Sequence, residues 1–234
     1  MTPSSLASHL LGAAKPSDPP AGPRWLSLLE AAAASLIVAG HNVWRLVPNE
    51  VPILAVLGLV SFRLRNGGWR AMGFGRPKSW GRTLLYGLAA AIALQSISQF
   101  VTDPLLKPFL HYSSEANPFK GVAALPVALQ WLALVWSFAA FGEEIGYRGY
   151  LLNRTADTGG GGRLALTAAL VWTSAMFGLG HWYQGPACVG STAVDGLVLG
   201  AAYLLSGRNL WVAILAHGIS DTFAVVVVAL GWAN

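Results

Sequence analysis

Apolar residues in this chain come in long runs separated by short polar connections, and the lengths of those runs carry the first prediction. Seven of them follow one another, at 25–47, 51–64, 83–101, 122–152, 164–183, 187–205 and 209–232. Most reach the ~20 residues that a helix needs to cross a bilayer. The pattern predicts an all-α polytopic membrane protein of about seven transmembrane helices. Six or eight are the neighbouring counts, because the second run is short and the fourth long. Before the first run, Pro16, Pro19, Pro20 and Pro23 stand among serine and glycine. That composition predicts a disordered tail over 1–24 rather than a cleavable signal segment. Residues 25–234 then form one transmembrane domain, without an internal repeat.

Composition agrees. Hydrophobic residues make up 54% of the chain and charged residues 11%, against about 25% charged in soluble domains. The net charge of +5 does not point to nucleic acid, because the cations sit between apolar runs, as in cytoplasmic loops. Arg63, Arg65, Arg70, Arg76, Lys78 and Arg82 flank or fill the second connection. Arg154, Arg163 and Arg208 fall on the same side, whereas Asp103, Lys107, Glu115 and Lys120 fall on the other. The positive-inside rule then puts the N-terminus in the cytoplasm and the C-terminus outside. The tract 67–80 interleaves aromatics with cations, which suits either a segment at headgroup level or a solvated loop. The lone cysteine, Cys188, rules out an internal disulfide and a multi-cysteine metal site.

Against this apolar background, Glu143, Glu144 and Arg148 stand out, because they lie inside the fourth run. Ionisable groups at membrane depth are costly and mark a functional site by default. Glu144 and Arg148 are four apart, so they share a helix face and can pair. Glu143 points about 100° away and is left free. Phe177 lies one turn before His181, and His217 shares a face with Asp221. Among the other deep polar groups, Glu30 and His41 read as a buried polar contact. Asp195 reads as hydrogen-bonded or water-exposed, and Gly196 with Gly200 as a close-packing step.

Depth decides whether these groups meet. At about 1.5 Å per residue, Glu143 lies ~15 Å from a cytoplasmic helix end near Asn153, His217 ~13 Å and Asp221 ~20 Å from Arg208. His181 would lie ~27 Å from Arg163, too deep unless the fifth helix starts near Ala168 or tilts strongly. A fourth helix ending at Phe141 would leave the glutamates in a loop and prevent a common site.

Glu-Glu-x-x-x-Arg at 143–148, Phe-x-x-x-His at 177–181 and His-x-x-x-Asp at 217–221, in that order, resemble the glutamic-type intramembrane proteases of the CPBP superfamily. These are the CAAX-prenyl endopeptidases and their bacteriocin-processing relatives. The text at 148–151 and the run 196–217 are also similar, and the resemblance covers roughly the last hundred residues, with the site motifs inside 122–225. The earlier part matches only in hydropathy and in the Gly-Phe-Gly-Arg-Pro tract at 73–77.

The resemblance implies that Glu143 and His181 activate the attacking water, and that His217 and Asp221 stabilise the oxyanion or bind a metal. Glu144 and Arg148 then fix the fourth helix, and Phe177 packs beside the site. Burial disfavours the charged form of a carboxylate, which suits a general base. Many relatives carry Asn in place of Asp221. An ionised aspartate cannot donate a hydrogen bond, so Asp221 must be protonated, orient His217 or hold a metal. No obligatory cofactor is expected. A divalent metal such as zinc is the alternative, with Glu143, His181, His217 and Asp221 as ligands, although no His-Glu-x-x-His helix is present.

The expected activity is hydrolysis of a peptide bond in a membrane-associated protein or peptide, in a cavity between the fourth, fifth and seventh helices open to the cytoplasm. The partners are membrane lipids and the membrane-anchored substrate. The alanine- and glycine-rich composition suggests a bacterial inner membrane, where lipoprotein, bacteriocin or sorting-signal processing replaces the prenylated tails of eukaryotic relatives. The competing reading is a small proton-coupled transporter or a non-catalytic scaffold. A transporter would favour inverted repeats, and the sequence shows none.

Overall fold

The computed structural model describes residues 22–106, 108–111, 119, 122 and 124–232. Most of the expected tail, with Lys107, Glu115 and Lys120, lies outside the described residues. Each apolar run forms a helix. These are α1 (Arg24–Asn42), α2 (Glu50–Arg65), α3 (Trp80–Leu106), α4 (Leu125–Thr158), α5 (Arg163–Leu179), α6 (Pro186–Leu205) and α7 (Leu210–Ala229). Among the described residues there is no strand.

Four of the seven, α3, α4, α6 and α7, are long and apolar enough by themselves to cross a membrane. The others fall short for visible reasons. α2 and α5 have 16 and 17 residues, and α1 carries Arg24, Glu30 and His41. Leu84, Leu85, Leu88 and Ile92 of α3, Leu129, Leu134 and Phe138 of α4, and Phe223 and Val226 of α7 are exposed. Such a belt of apolar surface is foreign to a soluble monomer and fits an integral membrane protein.

Local chemistry starts the helices. Asn49 accepts from the Val51 N–H (2.9 Å) at α2, Ser79 from Arg82 (3.3 Å) at α3, and Asn209 from Trp211 (3.2 Å) at α7. Proline stands in the first turn of α4 and of α6, where its missing N–H costs nothing.

α4 runs unbroken through both glutamates to Thr158, five residues beyond the expected end near Asn153. From Val135 to Leu151 its turns are widened, and the Leu152 N–H bonds back to the Tyr147 carbonyl. Widened turns recur at functional sites. α2 packs closely along this stretch because glycines remove the side chains between them. A Cβ on Gly142 would meet Val51 at 2.8 Å, one on Gly146 would meet Leu54 at 2.9 Å, and one on Gly58 of α2 would meet Tyr150 at 2.7 Å. The glycines flanking Glu143 and Glu144 thus lock the acidic segment against α2.

At one end of the bundle the basic connections gather, and one of their charges is drawn inside. Arg154, expected in a loop, is fully buried. Its Nε lies 2.8 Å from Glu30, its Nη1 donates to Asp157 at 3.1 Å, and its plane covers the Phe62 ring at 4.1 Å. Arg65 reaches the same Glu30 oxygen at 3.0 Å. Glu30 therefore does not pair with His41, as expected from sequence. His41 instead meets Glu50 at 3.3 Å, across the connection from α1 to α2 at the opposite end.

Candidate active site

The acidic segment is organised by Glu144, which is completely buried on α4. Its Oε1 accepts from Arg148 Nη1 at 2.7 Å and also lies 2.8 Å from His217 Nδ1 on α7. Arg148 is almost wholly buried, lies 4.2 Å over the Phe177 ring of α5 and donates to the Gly196 carbonyl of α6 at 3.3 Å. Such stacking suits a desolvated guanidinium. Four helices are therefore tied together at Arg148, Glu144 and their neighbours. Gly196 allows the approach of α6, since a Cβ there would meet Ser174 of α5 at 2.9 Å.

Phe177 sits among the chemical groups rather than in plain packing, with its ring 5.1 Å from that of His181 and 6.0 Å from that of His217. His181 lies just past the end of α5, outside the long apolar helices. Its Nδ1 donates to the Phe177 carbonyl at 2.9 Å, which leaves Nε2 as the acceptor. Burial pushes its pKa down to about 4 against the raising effect of that bond, so the ring is neutral at pH 7. On α7, His217 Nε2 faces Asp221 Oδ2 at 3.5 Å.

Glu143, Phe177, His181, His217 and Asp221 all line one cavity of about 360 Å³. Glu143 Oε2 is buried there and accepts no hydrogen bond from a described residue. A buried polar atom without a partner is rare enough in proteins to need an explanation. Glu143 and His181 also line a second cavity of about 360 Å³, beside His41 and Glu50, so they stand between the two.

The structure resolves the depth problem differently from the expectation. α5 begins at Arg163 rather than near Ala168, and because α4 continues to Thr158, Glu143 lies deeper and comes level with His181. The site lies where α1, α2 and α5 end, while α3, α4 and α7 continue past it. Asn49, Phe119, Tyr183 and Gln184, from the connections at that end, line the cavity. This end is opposite the one at which the basic connections gather.

Sequence reasoning missed several cavity residues. Asp195, read as a hydrogen-bonded group, accepts from Ser98 Oγ at 3.1 Å and also lines the cavity. Ser220, one residue before Asp221, accepts from Gln95 of α3 at 2.8 Å. Neither belongs to a spaced pair, so no pattern marked them. Tyr147 edges onto Phe177 at 5.1 Å and reads in sequence as one more apolar residue of α4.

Among the described residues no three His, Cys, Asp or Glu side chains gather as metal ligands. Both nitrogens of His217 face carboxylate oxygens, Nδ1 that of Glu144 at 2.8 Å and Nε2 that of Asp221 at 3.5 Å.

Residues 125–223 match the family model described as Rce1-like, Type II CAAX prenyl endopeptidase Rce1-like. This description agrees with the resemblance to the CPBP superfamily, over a segment shorter than half of the chain. The matched segment runs from the start of α4 into α7 and contains Glu143, Glu144, Arg148, Phe177, His181, His217 and Asp221. Comparison with curated proteins found no match, and comparison with solved structures found none.

Proposed function

We propose that the protein is an intramembrane endopeptidase of the CAAX-protease type, which hydrolyses a peptide bond in a membrane-associated protein or peptide. The observation that carries this reading is the meeting of three separate helices at one cavity. The unpartnered carboxylate oxygen of Glu143, the neutral His181 and the carboxylate-held His217 all face it.

Glu143 takes a proton from water as the water oxygen attacks the scissile carbonyl carbon, and His181 Nε2 holds that water from the other side. The resulting oxyanion is stabilised by the His217 Nε2–H. At 3.5 Å that N–H is held only loosely by Asp221, which leaves it free to turn to a second acceptor. As the C–N bond breaks, Glu143 returns its proton to the leaving amine, so the products are one carboxylic acid and one amine. Glu144 and Arg148 take no part in proton transfer and hold His217 and α4 in place. Asp221 orients His217, which needs no hydrogen-bond donor and is open to an ionised aspartate.

The expected substrate is a lipid-anchored or membrane-inserted peptide, and the setting is a bacterial inner membrane. The test is cleavage of fluorogenic membrane-tethered peptides by the protein reconstituted in vesicles. Hydrolysis that is lost in His181→Ala supports the reading, whereas hydrolysis unchanged in that variant contradicts it.

A further inference from the structure

Away from the site, at the basic end of the bundle, a cavity of about 480 Å³ lies between the starts of α3 and α7. Arg70, Arg76, Lys78, Arg82 and Arg208 all line it, and no carboxylate does. Two N-termini bring their positive dipole ends to the same region, and neither helix has an acidic residue in its first turn. The one carboxylate of the nearby α4 end, Asp157, is taken by Arg154 at 3.1 Å.

The walls are fixed. Leu210 N–H donates to the Gly73 carbonyl at 3.1 Å, Trp211 Nε1 to Gly75 at 3.0 Å, and Asn209 Nδ2 to Thr83 Oγ1 at 2.9 Å. Trp211 also packs on Phe74, with ring centres 4.8 Å apart. Within this frame Arg208 Nε and Nη2 are buried and donate to no described residue. A guanidinium stays charged at any working pH, so buried donors on it call for an anionic acceptor with forked geometry.

We infer that this cavity binds a phosphate group through Arg208, Arg82 and the surrounding cations. Its position favours an anionic phospholipid headgroup as the source. Both flanking helices are spans that begin there, and Trp69 and Trp80 are exposed beside it, as aromatics are at the interface. Basic pockets between spanning helices recognise such headgroups, and each nearby cation strengthens the hold about fivefold.

The full-length protein, purified in detergent, is loaded with phosphatidylglycerol or phosphatidylcholine, and retained lipid is counted by native mass spectrometry. In a second arm, inorganic phosphate alone is added and the shift in Tm is read. The expected result is selective retention of phosphatidylglycerol, weakened about twenty-fivefold in Arg76→Gln/Lys78→Gln and further in Arg82→Gln/Arg208→Gln. A rise in Tm with inorganic phosphate that the variants lose, without selective lipid retention, also supports the site and assigns it to a soluble phosphate. Equal retention of both lipids with no response to phosphate overturns the inference. So does wild-type behaviour of Arg76→Gln/Lys78→Gln, a pair of exposed residues whose replacement leaves the fold intact.

Discussion

One oxygen of Glu144 serves two partners on two helices, Arg148 Nη1 at 2.7 Å and His217 Nδ1 at 2.8 Å. The carboxylate is therefore a hub, and its removal leaves a buried guanidinium and a loosened imidazole. Breaking a buried pair by removing one member costs about 3–5 kcal/mol. Glu144→Ala is expected to lower the Tm of the detergent-purified protein sharply, while Glu144→Gln lowers it less. Equal Tm values for Glu144→Ala and wild type would contradict the hub.

The glycines beside the acidic segment make a separate prediction. A Cβ on Gly146 meets Leu54 at 2.9 Å, so Gly146→Val forces α2 and α4 apart. Overpacking of this kind costs about 1–3 kcal/mol. Thermal unfolding should show it, and Gly81→Ala in the exposed first turn of α3, where a Cβ meets only Ser79 at 3.9 Å, should show much less.

Asp221 is predicted to act as an acceptor toward His217. Asp221→Asn keeps an oxygen able to accept and should retain most of the cleavage rate. Asp221→Leu removes it, frees His217 and should lower kcat about a hundredfold, the scale of a lost oxyanion donor. Equal loss in both variants would show that the negative charge itself is needed.

The spaced motifs made the site readable, because Glu144 with Arg148 and His217 with Asp221 each fall within one helical turn, and the structure pairs each of them. What joins the motifs was not readable. The 2.8 Å contact from Glu144 to His217 connects residues 73 apart in sequence, and nothing local announces it. Hydropathy found all seven helices, since each buries or presents an apolar surface. α2 and α5 stop at the level of the site, and it is their ends that let the connections line the cavity. Arg154 misled for a similar reason. Its position next to a polar connection suggested solvent, whereas Glu30, three helices earlier, supplies the charge that lets it be buried.

Sidedness follows from the same arrangement. Pro48 stands in the connection from α1 to α2 and Lys78 among the basic connections at the other end of α2, both exposed. With Cys188 buried, an impermeant thiol reagent should label Pro48→Cys and Lys78→Cys from opposite faces of sealed vesicles. Labelling of both from one face would contradict the described arrangement of ends.

The central claim is that Glu143 takes the proton from the attacking water, and Glu143→Gln tests it most directly. Glutamine matches glutamate in size and cannot accept that proton. The measurement is the rate of cleavage of a co-expressed membrane substrate by variant and wild type at equal membrane level and equal Tm. The account predicts that cleavage is lost with the fold intact. Cleavage at the wild-type rate by Glu143→Gln would contradict it.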